Sequence, residues 1–166
     1  MDAADGARIA TAIIDANAYM TLATADADGT PWASPVWFAP DRYQQLLWVS
    51  RPDARHSRNL AARPEVGIVI FDSTVPEGEA QAVYLDASAE LAPEADLERL
   101  MAVYSGRSVA RFDTPWPVAK VTGEAPHRLY VATVREAFVL DEDEQRMSVR
   151  LEERATPSGE SRAPGG

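Results

Sequence analysis

The sequence predicts a mainly β protein with flanking helices, of the α+β class, and three observations carry that expectation. Short runs rich in β-branched and aromatic residues follow one another closely, with turn residues between them. Residues 66–71 (VGIVIF) form a nearly unbroken apolar run of strand length, as expected of a strand buried on both faces. Residues 5–16 and 94–104 instead place their apolar residues at helical spacing. Strands this short and this close together point to a barrel.

In chain order, residues 5–16 predict a helix with Ile9, Ala12, Ile13 and Ala16 on one face. Asp5 is its expected N-cap and Asn17 its terminator, and its expected role is a lid over a barrel end. Residues 19–25 (YMTLATA) alternate, DADG at 26–29 is a turn signal, and 30–38 return as the second strand of a hairpin. Residues 40–45 turn again, and the apolar 46–50 complete a meander. Residues 54–63 (ARHSRNLAAR) predict a short helix, capped by Asp53 and stopped by Pro64. The strand 66–71, a loop with Pro76 and Gly78, and a strand over 81–91 continue the sheet.

Pro93 then opens a helix over 94–104, with Leu97, Leu100, Met101 and Tyr104 as its apolar stripe. Glu94, Asp96 and Glu98 suit its N-terminal end. Residues 105–125, with Pro115, Trp116 and Pro117, read as a long irregular loop. Residues 127–134 and 137–141 read as a closing hairpin. The domain is expected to span 1–141, with 142–166 a charged and then Pro/Gly/Ser-rich tail, disordered from about residue 152.

The 166 residues suffice for one domain with its own core. There is no cysteine, which excludes disulfides, thiolate metal sites and cysteine nucleophiles, and two histidines do not make a typical zinc site. No basic leader with a long apolar run and no bilayer-length segment is present, so the expected location is cytoplasmic, without membrane contact. A net charge of −10 repels nucleic acid and anionic lipid over most of the surface. Against that background Arg55, His56, Ser57, Arg58 and Asn59 stand out. Cations and neutral donors gathered at a helix start are what a phosphate seeks. No Ser-His-Asp spacing, paired carboxylate, P-loop or GxGxxG pattern is visible.

VSRPDARHSRNLAARPEVGIVIFD resembles the strand–helix–strand core of the pyridoxamine 5'-phosphate oxidase-like, FMN-binding split-barrel superfamily. TPWASPVWF resembles that family's second strand, and QAVYLDASAEL its next long one. The likeness covers residues 19–91, and more weakly PHRLYVATVREAFVLD. It implies a split β-barrel of the FMN-binding type, acting as an oxidoreductase on a small organic substrate. It also implies a homodimer with the cofactor at the interface. Arg55 and His56 align with the basic pair that holds the FMN phosphate, and Ser50 with a hydroxyl or small polar contact. Asn59, one turn beyond Arg55, could reach the same ligand. Ser34, Val36 and Trp37 fall on the strand that runs along the flavin ring, and Gln81 lies near the family's glutamine. Trp116 and Arg128 belong to regions that approach the cofactor from the partner subunit.

Alternation puts Trp32, Ser34 and Val36 on one side of their strand and Ala33, Pro35 and Trp37 on the other, and either set could meet the ring. The chain also departs from the family. Ser34 and Ala39 stand where the true oxidases carry an arginine and a lysine, and His56 is only partly cationic near neutral pH. The end of the chain lacks the tryptophan and arginine–histidine pattern that hold pyridoxamine 5'-phosphate, so that reaction is not expected. A deazaflavin coenzyme, or a non-catalytic flavin- or haem-binding module, are the alternatives. For haem, His56 and His127 are the only histidines available as ligands.

Overall fold

The computed structural model describes residues 1–76 and 81–151. Its centre is one antiparallel sheet of eight strands, ordered β2-β1-β5-β6-β7-β4-β3, with β8 paired to β7. The strands are β1 (Tyr19–Ala25), β2 (Pro31–Trp37), β3 (Ala39–Asp41), β4 (Gln45–Ser50), β5 (Glu65–Phe71), β6 (Ala82–Leu91), β7 (Arg128–Leu140) and β8 (Arg146–Val149). Among the described residues three α-helices accompany them: α1 (Ala3–Ala16), α2 (Arg55–Ala62) and α3 (Leu97–Phe112). The sheet curls around one interior to make a split barrel.

The first hairpin follows from its turn. Asp26 Oδ1 accepts from the Asp28 and Thr30 amides at 3.1 and 2.9 Å, and Gly29 takes φ +88°, a conformation glycine adopts without strain. β1 and β2 then pair from Ala25↔Pro31 to Tyr19↔Trp37. β5 alternates: Val66, Ile68 and Ile70 are buried, while Gly67 and Val69 on the other side are half-buried. It is therefore a one-sided strand, flanked by β1 and β6, with its outer residues half-buried or exposed.

Two apolar clusters hold the fold. The barrel interior gathers Leu22, Phe38, Trp48, Ile68, Leu85 and Tyr130 with Ala10 and Ile14 from α1 and Leu60 from α2. Trp48 stacks on Tyr130 with ring centroids 5.5 Å apart. The second cluster lies on the other face, where Leu100, Met101 and Tyr104 of α3 cover Leu47, Leu129 and Val131.

Several boundaries differ from the sequence expectation. Asp2, not Asp5, caps α1, accepting from the Asp5 amide at 2.8 Å. The buried face of α1 is Gly6, Ala10 and Ile14, whereas Ala12 and Ala16 are exposed. Asp53 does not cap α2; its carboxylate binds Arg51 at 3.0 and 3.3 Å, and Ala54 holds the cap position with no side-chain bond. α3 runs to Phe112, into the expected loop. Arg107 donates to the carbonyls of Ile14 and Asn17 at 3.0 and 2.8 Å, and Arg111 to that of Asp15, so its last turns cap the C-terminal end of α1. Burial lowers the Arg107 guanidinium to about 10.

The closing hairpin also differs. β7 is one strand of thirteen residues, and Arg135 is its bulged residue, since Asp86 pairs with Glu136 and Ala87 with Val134. The hairpin partner is β8, from Leu140↔Arg146 to Ala137↔Val149, with Leu151 buried beyond it. The sheet thus continues past residue 141, where the tail was expected to begin. The disorder expected from about residue 152 lies outside the described residues.

α1 seats on β7 and β8 through Gly6. A Cβ there would sit 2.5 Å from Met147 Cε, 2.8 Å from Val149 Cγ1 and 3.3 Å from Val139 Cγ2. Gly6→Ala is therefore expected to destabilise by about 1–3 kcal/mol, outweighing a helix-propensity gain of about 1 kcal/mol. Urea unfolding checks this, and a more stable variant would mean that α1 does not pack this closely.

Candidate cofactor site

α2 leans on the first hairpin and on the end of β4, and its side chains divide into a buried set and a rim. In the buried set, His56 Nε2 lies 2.7 Å from Ser50 Oγ, and its Nδ1 lies 3.2 Å from Ser34 Oγ. A neutral imidazole has one donor and one acceptor nitrogen, so one serine donates to the ring and the other accepts from it. Asn59 Nδ2 donates to Thr24 Oγ1 at 3.0 Å, and Thr24 donates on to the Trp32 carbonyl at 3.2 Å. Ser57 is buried, and its hydroxyl finds no hydrogen-bond partner.

The rim is cationic. Arg55 lies over the Trp32 ring, 4.3 Å from its centroid, with Nη2 3.9 Å from Asp26 Oδ2. Arg51 and Arg58 both turn to Asp53, one to its carboxylate and the other to its carbonyl. The first amides of a helix lack intrahelical acceptors, and no side chain caps those of α2. Uncapped amides, an unpartnered buried hydroxyl and Arg55 together fit a phosphate.

His56 is less cationic in the fold than its sequence suggests. Burial lowers its pKa below the ordinary 6.5, so the ring is a neutral brace between β2 and β4. The unfolded chain then takes up this proton more readily than the fold does. The stabilising contribution is complete above about pH 6.5 and is lost as pH falls through the depressed folded value. Melting temperatures between pH 5 and 8 should show this loss in the wild type and lack it in His56→Gln; identical profiles would contradict it.

The structure gathers Ser34, Ser50, His56 and Asn59 where α2 meets the first hairpin and the end of β4, with Arg55 at the edge and Val36 in the barrel interior. Asn59 and four other candidate residues have their side chains engaged or placed elsewhere within the chain. Asn59 does not share a ligand-facing side with Arg55, being buried against Thr24. Trp37 faces α3, packing edge-on to Tyr104 at 4.8 Å, and Trp116 packs on that same tyrosine at 5.7 Å. Arg128 pairs with Ser50 across the sheet, but its guanidinium binds the carbonyls of Gly123, Ala125 and His127 at 2.8, 2.5 and 2.7 Å. It therefore holds a loop together. Gln81 is exposed beside Ala82, which pairs with Phe71 at the opposite end of β5 from the one α2 leads into. Thr24 has no counterpart in the sequence analysis, because burial of a small hydroxyl leaves no sequence signal; Ser57 is among the donors read there, and the structure adds that its hydroxyl is buried without a partner.

A curled antiparallel sheet, plugged by two helices and carrying a basic helix start on its first hairpin, defines the split-barrel class. The chain belongs to the pyridoxamine 5'-phosphate oxidase-like family: the model described as pyridoxamine 5'-phosphate oxidase matches residues 9–141. No curated protein matches the chain by sequence. Among solved structures, the haem storage protein HutZ from Vibrio cholerae is 22% identical with a TM-score of 0.64, over 78% of this chain and 90% of that one. An F420 reductase is 25% identical with a TM-score of 0.51, over 72% and 87%. An FAD-binding protein from Mesorhizobium loti is 20% identical with a TM-score of 0.57, over 76% and 86%. The neighbours thus span flavin, deazaflavin and haem proteins. Among the described residues no helix is long and apolar enough to cross a membrane.

Proposed function

We propose that this chain is an FMN-dependent oxidoreductase that acts on a small organic substrate as a homodimer, with the cofactor at the subunit interface. The observation that carries this reading is the start of α2. An uncapped helix end, the orphaned Ser57 hydroxyl and Arg55 meet there, in a chain of net charge −10. Arg55, Ser57 and the α2 amides would hold the phosphate, and Trp32 with the β2 backbone offers the adjoining surface to the ring. When bound, FMN supplies hydride chemistry, which asks the protein for orientation and exclusion of water rather than for an acid–base pair.

The dimer reading rests on exposure. Arg55 and Trp32 are 38% and 42% exposed, so one chain leaves the proposed phosphate seat open. The outer face of β5 carries Phe71, 46% exposed, beside Val69 and the neighbouring Thr21 of β1. Uncovered apolar surface of this kind suits a second copy.

One observation favours a deazaflavin as the second reading. Ser34 is engaged by His56 and Ala39 is buried among apolar groups, so neither offers a cation to a cofactor. Haem is less well served, since both nitrogens of His56 are engaged, leaving His127 as the only other histidine.

Cofactor-free protein titrated with FMN and with riboflavin tests the phosphate seat. FMN is expected to bind about tenfold tighter or more, the scale of one charge-assisted contact. Equal affinities would refute the seat. Reduction of the bound flavin by NAD(P)H and its reoxidation by a candidate substrate separate an enzyme from a binding module.

A further inference from the structure

We propose that the cleft between the end of β2 and α3 is a second small-molecule site, which takes a planar aromatic ligand without negative charge. It lies on the opposite side of β2 from His56 and does not depend on the flavin reading. Tyr19, Trp37, Tyr104, Phe112 and Trp116, drawn from four separate segments, line a cavity of about 360 Å³. That volume falls within the rough 300–1,000 Å³ span of small-molecule sites.

The walls are built from aromatic rings set across one another. Trp37 and Tyr104 meet at 83° and 4.8 Å, Tyr104 and Trp116 at 89° and 5.7 Å, and Trp37 and Phe112 at 59° and 6.3 Å. Such an array presents both ring edges and ring faces, the two surfaces on which a further aromatic ring packs. The floor is fixed: Tyr104 is buried, and its hydroxyl meets the Val49 backbone. The mouth is not covered, since Tyr19 and Phe112 are 60% and 55% exposed.

Polarity sets the ligand class. The remaining lining side chains are the hydroxyls of Ser108 and Thr114, and none of the seven lining residues is charged. Thr114 already donates to the Phe112 carbonyl. Lys120 lies 4.8 Å over the Trp116 ring, which engages its charge. With the net charge of −10, this arrangement disfavours an anion.

The test is calorimetric titration of the full chain with 1,4-naphthoquinone and with its 2-sulfonate, with sedimentation velocity on the same samples. The neutral quinone is expected to saturate at one per chain and to bind tighter than the sulfonate. Tyr19→Ala and Phe112→Ala, both on the exposed mouth, should each weaken it roughly three- to tenfold, the scale of one aromatic contact. Leu91→Ala, an exposed residue at the end of β6, should leave the affinity unchanged. Absence of saturable binding, unchanged affinity in the Tyr19/Phe112 double variant, or tighter binding of the sulfonate would overturn the proposal. So would a double variant that loses only a dimer, because a second copy would then be what covers the cleft.

Discussion

Replacing Arg55 with alanine is expected to weaken FMN binding by about 1.5–3 kcal/mol while the protein stays folded. The asymmetry follows from what Arg55 touches. Its contacts in the fold are an ion pair of 3.9 Å with Asp26 and the face of Trp32, both on an open rim. Exposed pairs and exposed cation–π contacts are each worth about 1 kcal/mol or less. A phosphate seated on uncapped α2 amides, by contrast, would lose a charge-assisted partner. Arg55→Lys should fall between, since lysine keeps the charge but not the forked donors. Riboflavin, which lacks the phosphate, should be nearly indifferent to both changes. Titrations of both ligands against the three proteins decide the matter, and equal FMN affinity in wild type and Arg55→Ala would remove this residue from the site.

Trp48→Ala should cost about 3–5 kcal/mol of stability, the largest effect expected of a single core substitution here. Trp48 is completely buried in the middle of β4 and stacks on Tyr130 at an interplanar angle of 17°. Its removal leaves a cavity where β4 and β7 meet, bounded by backbone hydrogen bonds that resist collapse. Its indole N–H, however, has no partner. Trp48→Phe keeps most of the packing and deletes an unsatisfied donor, so its cost should stay below about 1.5 kcal/mol. Urea unfolding with an unchanged m-value is the measurement. If alanine and phenylalanine cost the same, packing of the indole is not what holds the interior.

The elements readable from sequence are those whose signals are local. Alternation and the DADG turn mark β1 and β2, Pro64 marks the end of α2, and an apolar run marks β5. The remainder depends on contacts distant in sequence. Ser105 and Gly106 are poor helix formers, yet α3 continues through them because Arg107 and Arg111 reach the carbonyls of α1. The bulge at Arg135 interrupts alternation in β7, so one strand reads as two. β8 hides behind the acidic turn 141–144, although Met147 and Val149 alternate as a strand should.

The candidate site divides in the same way. Resemblance singled out Ser34, Ser50 and His56, but not that one imidazole joins the two serines, which only the curl of the sheet brings about. Alternation separated Trp37 from Ser34 correctly, yet which side faces α3 is a property of the packed barrel. Arg128 carries the charge expected of a cofactor contact and spends it on three carbonyls of its own loop.

The cofactor site is tested most directly by a visible absorption spectrum of the freshly purified protein, with mass spectrometry of whatever heat releases from it. The expected result is a flavin spectrum and released FMN, near one per chain. A released deazaflavin or haem would keep the family and replace the proposed cofactor. A colourless protein that takes up neither FMN nor deazaflavin would contradict the cofactor site at the start of α2.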